Sequence, residues 1–262
     1  MFVPGSNARA IEKARGLPCD AVILDLEDAV GPDAKDAART AIHDAVAARA
    51  FGARPTVVRI NAPSSEAGAE DIRAARGADA ILVPKVGGAA DLAVARLLAA
   101  ETPLWAMIET TASVLSLDRI AERAACLVLG ANDLIKEMGG RHRPDRANLQ
   151  PTMALMVTAA RKHGRIALDS VHNDVADKEG FVAACALARD FGFDGKTLIH
   201  PDQIAPAARA FAASPEELAR ARRLLAAFAL PENRDKGAFA FEGGMAERLD
   251  IEVAQRLLDE DT

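Results

Sequence analysis

One pattern runs the length of the chain and limits what it can fold into: a short run rich in Val, Ile and Leu, a polar or Gly/Pro break, then an alanine-rich stretch with helical spacing. Eight such runs occur, at residues 2–3, 21–26, 56–60, 80–83, 104–108, 126–129, 166–168 and 197–199. Their apolar residues are continuous, which suits strands buried on both faces, and the stretches between them supply helical crossovers for a parallel sheet. Eight β/α units in 262 residues predict an α/β fold, the (β/α)8 TIM barrel. A doubly wound sheet competes, but it places a Gly-rich phosphate turn after its first strand, and Pro4-Gly5-Ser6-Asn7 lacks the GxGxxG spacing.

Within that frame a helix is expected between residues 33 and 50. It would set Ala37, Ala41, Ala45 and Ala48, with Ala38, Ile42 and Val46, on a buried stripe and turn Lys35, Asp36, Arg39 and Asp44 to water. After His200-Pro201 the alternation stops. Ser214-Pro215-Glu216-Glu217 is a helix start with a capping box, and a helix to about Leu230 follows. Pro231-Glu232-Asn233 breaks it, 236–245 reads as loop, and 246–258 resumes a helical pattern. The chain therefore divides into a barrel, 1–212, and a C-terminal helical lid or extension of the same domain, 213–262.

Composition excludes several partners. Half the residues are hydrophobic, net charge is -6 and aromatics are 4% with no Tyr, so neither the basic stripe nor the stacking platform of a nucleic-acid binder is present. Cys19, Cys126 and Cys185 form no CxxC pair, as expected for reduced thiols. No basic-then-apolar leader opens the sequence, and no uncharged stretch is long enough to span a membrane. These features read as a cytoplasmic protein with no membrane partner.

In a parallel barrel the strand C-termini share one face, and that face carries the chemistry. The polar residues there are Asp25, Glu27 and Asp28 after run two, Arg59 and Asn61 after run three, Lys85 after run four and Glu109 after run five. Asn132-Asp133, Asp169 and His200 follow the last three runs. Glu109 and Asp133 suit Mg²⁺, which is held by one or two carboxylates with waters and substrate completing its shell. Arg59 offers a fork for a substrate carboxylate, or an internal ion pair with Glu27 or Asp28. Lys85 reads either as a Schiff-base nucleophile or as a structural cation that the surrounding acids keep protonated; His200 reads as a general base or a hydrogen-bonded core residue. No HExxH or HxxxH pair occurs, which argues against zinc.

Taken in order, Phe2-Val3-Pro4-Gly5, Asp25-Leu26-Glu27-Asp28-Ala29-Val30, Val58-Arg59-Ile60-Asn61, Leu82-Val83-Pro84-Lys85, Ile108-Glu109-Thr110, Gly130-Ala131-Asn132-Asp133-Leu134, Ala167-Leu168-Asp169 and Gly192-Phe193-Asp194-Gly195-Lys196 through Ile199-His200-Pro201 resemble the citrate lyase β-subunit-like branch of the HpcH/HpaI aldolase family. The resemblance spans nearly the whole chain. It implies a TIM barrel of CoA-ester lyases, with Glu109 and Asp133 on the family's Mg²⁺ ligands and Arg59 on the arginine that binds the oxo acid. Pro4, Gly5, Glu27 and Asp28 would line the substrate cavity, with Lys85 and Asn132 beside them. It further implies a homotrimer and a C-terminal lid carrying a catalytic aspartate. Here that position, two residues after Met245, is Glu247, with Asp250 nearby as a substitute.

The expected reaction is C–C cleavage or formation on a 3-hydroxyacyl-CoA such as citramalyl-CoA or malyl-CoA, with acetyl-CoA and an α-oxo acid as partners and Glu247 as acid/base. Three other readings stand beside it. The chain could be a citrate lyase β subunit acting on an acyl-carrier thioester, a CoA-ester-binding paralogue with altered activity, or a metal-independent aldolase using Lys85.

Overall fold

The computed structural model describes residues 1–260. Eight strands form one parallel sheet in sequence order: β1 Phe2–Pro4, β2 Val22–Asp25, β3 Thr56–Arg59, β4 Ala80–Val83, β5 Leu104–Ile108, β6 Cys126–Leu129, β7 Ile166–Asp169 and β8 Gly195–Lys196. The sheet curls on itself, since the Phe2 N–H donates to Leu198 O at 2.8 Å. The paired part of β8 lies just before the apolar run at 197–199. Gly195 and Lys196 pair with Leu168 and Asp169, where β7 ends, so later residues keep only single bonds such as Thr197 N–H to Asp169 O at 2.9 Å.

Strand side chains alternate between the barrel interior and the helical layer outside, because the strand period is two. Ile23, Val57, Ala80, Leu82, Met107, Cys126 and Val128 form the interior cluster, with Phe2, Trp105 and Leu168 against it. Their neighbours in sequence, Leu24, Val58, Ile81, Ala106, Leu127 and Ala167, belong to the outer core under the helices. This parity positions the site. At β2, β3 and β5 the residue two past an interior one emerges at the barrel mouth, whereas most residues next to an interior one pack beneath the helices.

Helix Lys35–Ala47 buries Ala38, Ile42, Ala45 and Val46, while Ala37 and Ala48 are exposed. Lys35 and Arg39 do not face water as the sequence pattern suggested, because neighbouring loops supply acceptors. Lys35 Nζ reaches the carbonyls of Leu26 and Glu27 and Asn61 Oδ1 at 2.5, 2.9 and 3.0 Å, and Arg39 pairs with fully buried Asp71 at 2.7 Å. The three cysteines are free and buried. Among the described residues no helix is long and apolar enough to cross a membrane.

The chain resolves into two compact units, Met1–Phe211 and Ala212–Thr262. The second contains helices Pro215–Ala229 and Arg248–Glu260, the first opened by the Ser214/Glu217 capping box. Between them lies a hairpin, β9 Ala238–Phe241 and β10 Gly244–Glu247, where the sequence suggested loop. Its two-residue turn, Glu242-Gly243, has φ of 47° and 82°, the left-handed pair that hairpin twist favours. Phe239 and Ala246 pack with Ala221, Leu224 and Ala254 as this unit's core. Glu247 is exposed at the end of β10, and its N–H donates to Asp250 Oδ2 at 2.8 Å, so Asp250 holds the start of the last helix.

Candidate active site

The C-terminal mouth of the barrel holds a cavity of about 410 Å³ lined by Phe2, Pro4, Asp25, Asp28, Arg59, Met107, Glu109, Leu129, Asn132, Asp133, Val171 and Asn173, among others. Asp25, Arg59 and Glu109 arrive there by strand parity, each two residues past an interior side chain: Ile23, Val57 and Met107. Asp133 comes from the first turn of the short helix Ala131–Glu137 that follows β6. Glu109 and Asp133 thus face a shared space.

Glu109 is 2% exposed and accepts one hydrogen bond, from the Lys85 N–H to Oε1 at 2.6 Å. Burial pushes its pKa up to about 7, and the charges of Glu27 and Asp133 add to the rise. Gly130 leaves room for this carboxylate, since a Cβ there would stand 2.5 Å from Glu109 Oε2. Asp133 has no hydrogen bond or ion pair among the described residues.

Arg59 lies opposite Asp25 in the β2/β3 register, and this decides its partner. Its Nε and Nη2 donate to the two oxygens of Asp25 at 2.7 and 2.6 Å, so Asp25 is the main partner of the guanidinium, ahead of Glu27 and Asp28. Glu27 Oε2 stands 3.0 Å from Nη1, close enough for an ion pair but out of hydrogen-bond alignment. Asp25 therefore takes the side-on fork and Met107 Sδ accepts from Nη1 at 3.7 Å, so that of five donors one on Nη1 and one on Nη2 remain for another carboxylate. Phe2 covers the guanidinium from 5.0 Å.

Glu27 is buried, and burial raises its pKa. Lys85 Nζ lies 2.5 Å from Glu27 Oε1 and 3.7 Å from Asp28. The hydrogen bond to Glu27 raises the Lys85 pKa, which opposes the free amine a Schiff base requires. Pro4 lines the cavity, whereas Gly5 packs behind it, its N–H on Asp25 O at 2.9 Å and no space for a Cβ. Asn132 and Asn173 exchange side-chain hydrogen bonds at 3.3 and 2.8 Å. His200 caps the turn after it, accepting from the Asp202 N–H at 3.2 Å, which satisfies the ring as a local cap. Glu247 belongs to the second unit.

Five carboxylates, Asp25, Glu27, Asp28, Glu109 and Asp133, meet three cations, Arg59, Lys85 and Lys35, in and beside this cavity. The deficit equals one divalent ion. Among the described residues no group of three or more His, Cys, Asp or Glu is placed to hold a metal by itself. A two-carboxylate set fits Mg²⁺, which keeps several waters, and does not fit a closed protein cage.

Sequence reasoning placed Asp25 at the barrel mouth without a partner, turned Lys35 to water and did not single out Asn173. The signal for Asp25 was its parity with Ile23, whereas Lys35 and Asn173 act through loops whose approach only the folded chain reveals.

Comparison with known proteins identifies relatives of the whole chain. The chain is 44% identical over 262 residues to a (3S)-malyl-CoA thioesterase of Cereibacter sphaeroides, covering 98% of this chain and 92% of that one. It is 31% identical over 274 residues to citrate lyase subunit beta of Leuconostoc mesenteroides subsp. cremoris, with 98% and 91% covered. The solved structure of protein CitE from Mycobacterium tuberculosis, in complex with magnesium, acetoacetate and coenzyme A, superposes with a TM-score of 0.80 at 35% identity, covering 98% and 95% of the two chains. The family model described as HpcH/HpaI aldolase/citrate lyase matches residues 1–201, and the chain belongs to that family.

Proposed function

We propose that the chain is a Mg²⁺-dependent CoA-ester lyase. It breaks or forms the C–C bond of a 3-hydroxyacyl-CoA whose hydroxyl-bearing carbon carries a carboxylate, of the malyl-CoA or citramalyl-CoA type. The observation that carries this reading is the pairing of Glu109 and Asp133 in one cavity whose lining carboxylates outnumber its cations. Magnesium in the solved relative supports the choice of ion. Held between these carboxylates, the ion supplies a Lewis acid that stabilises negative charge as the hydroxyl becomes a carbonyl.

The chain's own residues do the rest. Arg59, steadied by Asp25, binds the carboxylate of the leaving oxo acid through its end-on donors. Phe2, Met107 and Leu129 wall the cavity against water, which strengthens both charge contacts. In the cleavage direction the hydroxyl proton leaves to solvent at the cavity mouth, and Glu247 is proposed as the acid that protonates the departing thioester enolate. In the condensing direction Glu247 is the base and the proton returns to the hydroxyl from solvent. The assembly is proposed to be a cytoplasmic homotrimer.

A second reaction on the same substrate is favoured by the 44% relative, whose name is that of a thioesterase. Incubation with Mg²⁺ and malyl-CoA, followed by mass spectrometry, separates the two. Acetyl-CoA with glyoxylate supports the lyase, malate with free CoA supports hydrolysis, and malyl-CoA left unchanged, with citramalyl-CoA unchanged in a parallel incubation, overturns both. The same assay on Glu247→Gln tests the acid assigned to it, with loss of turnover expected.

A further inference from the structure

Lys85 sits at φ 52°, in the left-handed region. For a residue with a Cβ this costs roughly 1 kcal/mol, and such strain persists only where surrounding contacts enforce it. Pro84 before it has no N–H, so the first donor the chain can turn inward after β4 is that of Lys85. That N–H meets Glu109 Oε1 at 2.6 Å. One residue on, fully buried Val86 accepts from Thr110 Oγ1 at 3.1 Å, lacing the same loop to the residue after Glu109. Glycine would hold this backbone without strain. The lysine side chain gives a reason for its presence: its ammonium is 2.5 Å from Glu27 Oε1, while the other oxygen of Glu27 faces Arg59 Nη1 at 3.0 Å without a hydrogen bond.

We propose that Lys85 is a positioning residue that braces the site at both ends. Its main chain aims the Glu109 carboxylate into the cavity, and its ammonium takes Glu27 Oε1, so that Oε2 keeps only an ion pair with Arg59 and spends none of the guanidinium's hydrogen-bond donors, which stay available for a substrate carboxylate. This rests on the reading of Glu109 and Asp133 as the metal site. The two ends are separable, and that makes the proposal testable.

Lys85→Val places a β-branched side chain on a left-handed backbone, so the N–H must turn from Glu109. Mg²⁺ affinity measured by calorimetry is expected to fall about tenfold or more, the scale of losing a partner behind a metal ligand. Lys85→Met keeps the N–H and an unbranched stem but no charge. Its Mg²⁺ affinity should stay near wild type, while glyoxylate affinity of the Mg²⁺-loaded protein falls by about tenfold. Lys85→Arg should restore glyoxylate binding. Thermal melts establish that each variant is folded.

Lys85→Val binding Mg²⁺ like the wild type, or Lys85→Met binding glyoxylate like the wild type, overturns the brace alone. So does a joint loss of both affinities in both variants, which marks a merely structural loop. Wild-type protein that binds no Mg²⁺ overturns the metal reading and the brace with it.

Discussion

Two stretches of the barrel rim carry buried acids at strand ends, and they behave oppositely. At β5 and β6, Glu109 has one hydrogen bond and like charges for neighbours, and burial raises its pKa to about 7. At β7 and β8, Asp169 is fully buried, yet its pKa falls: burial opposes ionisation, but Lys196 at 2.6 Å and Arg146 at 2.5 Å outweigh it. Arg146 takes a left-handed φ of 52° to reach it. Parity explains the contrast. Glu109 follows interior Met107 by two and opens on the cavity, whereas Asp169 follows interior Leu168 by one and is sealed against the outer layer. A buried acid saturated by cations is framework. One left short of them is a place for a cation the chain does not supply.

The sharpest way to break this comparison is to exchange the expected losses. Asp169→Ala leaves Lys196 and Arg146 buried without their carboxylate and should cost about 3–5 kcal/mol of stability, read as a lowered denaturant midpoint. Glu109→Gln should cut Mg²⁺-dependent turnover at least about 10²-fold, with a melting temperature at pH 8 equal to or above wild type. If Glu109→Gln unfolds the protein as Asp169→Ala does, the distinction between the two rims fails.

Titration sharpens it further. A carboxyl whose folded pKa is raised above its ordinary 4.5 stabilises the fold fully below pH 4.5, and loses that contribution as pH climbs through about 7. Metal-free protein should therefore lose up to about 3 kcal/mol from this group between those limits, at about 1.4 kcal/mol per pKa shift of one. Mg²⁺ should restore it, raising the melting temperature far more at pH 8 than at pH 5. An equal Mg²⁺ effect at both values would remove Glu109 from the metal site.

The barrel was legible because eight continuous apolar runs leave few other ways to bury both faces of a sheet. Glu109 and Asp133 were legible as residues that follow strands, a property the linear sequence displays. The ion pair of Arg59 with Glu27 was legible and is present at 3.0 Å, but its main partner Asp25 was missed, because strand register, which sets Asp25 opposite Arg59, is not displayed by the linear sequence. Lys35 and Arg39 were misread for a related reason: a helical wheel assigns long cations to water, and cannot see the loop carbonyls and Asp71 that approach from other units. The hairpin at 238–247 was hidden by its length, although Ala-Phe-Ala-Phe before Glu-Gly carries both the alternation and the turn.

The smallest effect tests whether the β7–β8 rim is inert toward the site. Ser170 Oγ accepts from Arg146 Nη2 at 3.2 Å, and Ser170 O accepts from Lys196 Nζ at 2.5 Å. Ser170→Ala removes the first bond, together with the long one that the hydroxyl donates to Asp169 Oδ1 at 3.5 Å, and keeps the second, since only the hydroxyl is lost. Arg146 retains both contacts to Asp169, at 2.9 and 2.5 Å, so its charge stays paired. The cost should be about 1–2 kcal/mol, that of one ordinary and one long hydrogen bond, seen as a small shift in the denaturant midpoint. Mg²⁺ affinity should not change, because no part of this cluster touches Glu109 or Asp133 among the described contacts. A fall in Mg²⁺ affinity would show that the two rims are energetically joined, and that framework and site cannot be divided by the parity of their strands.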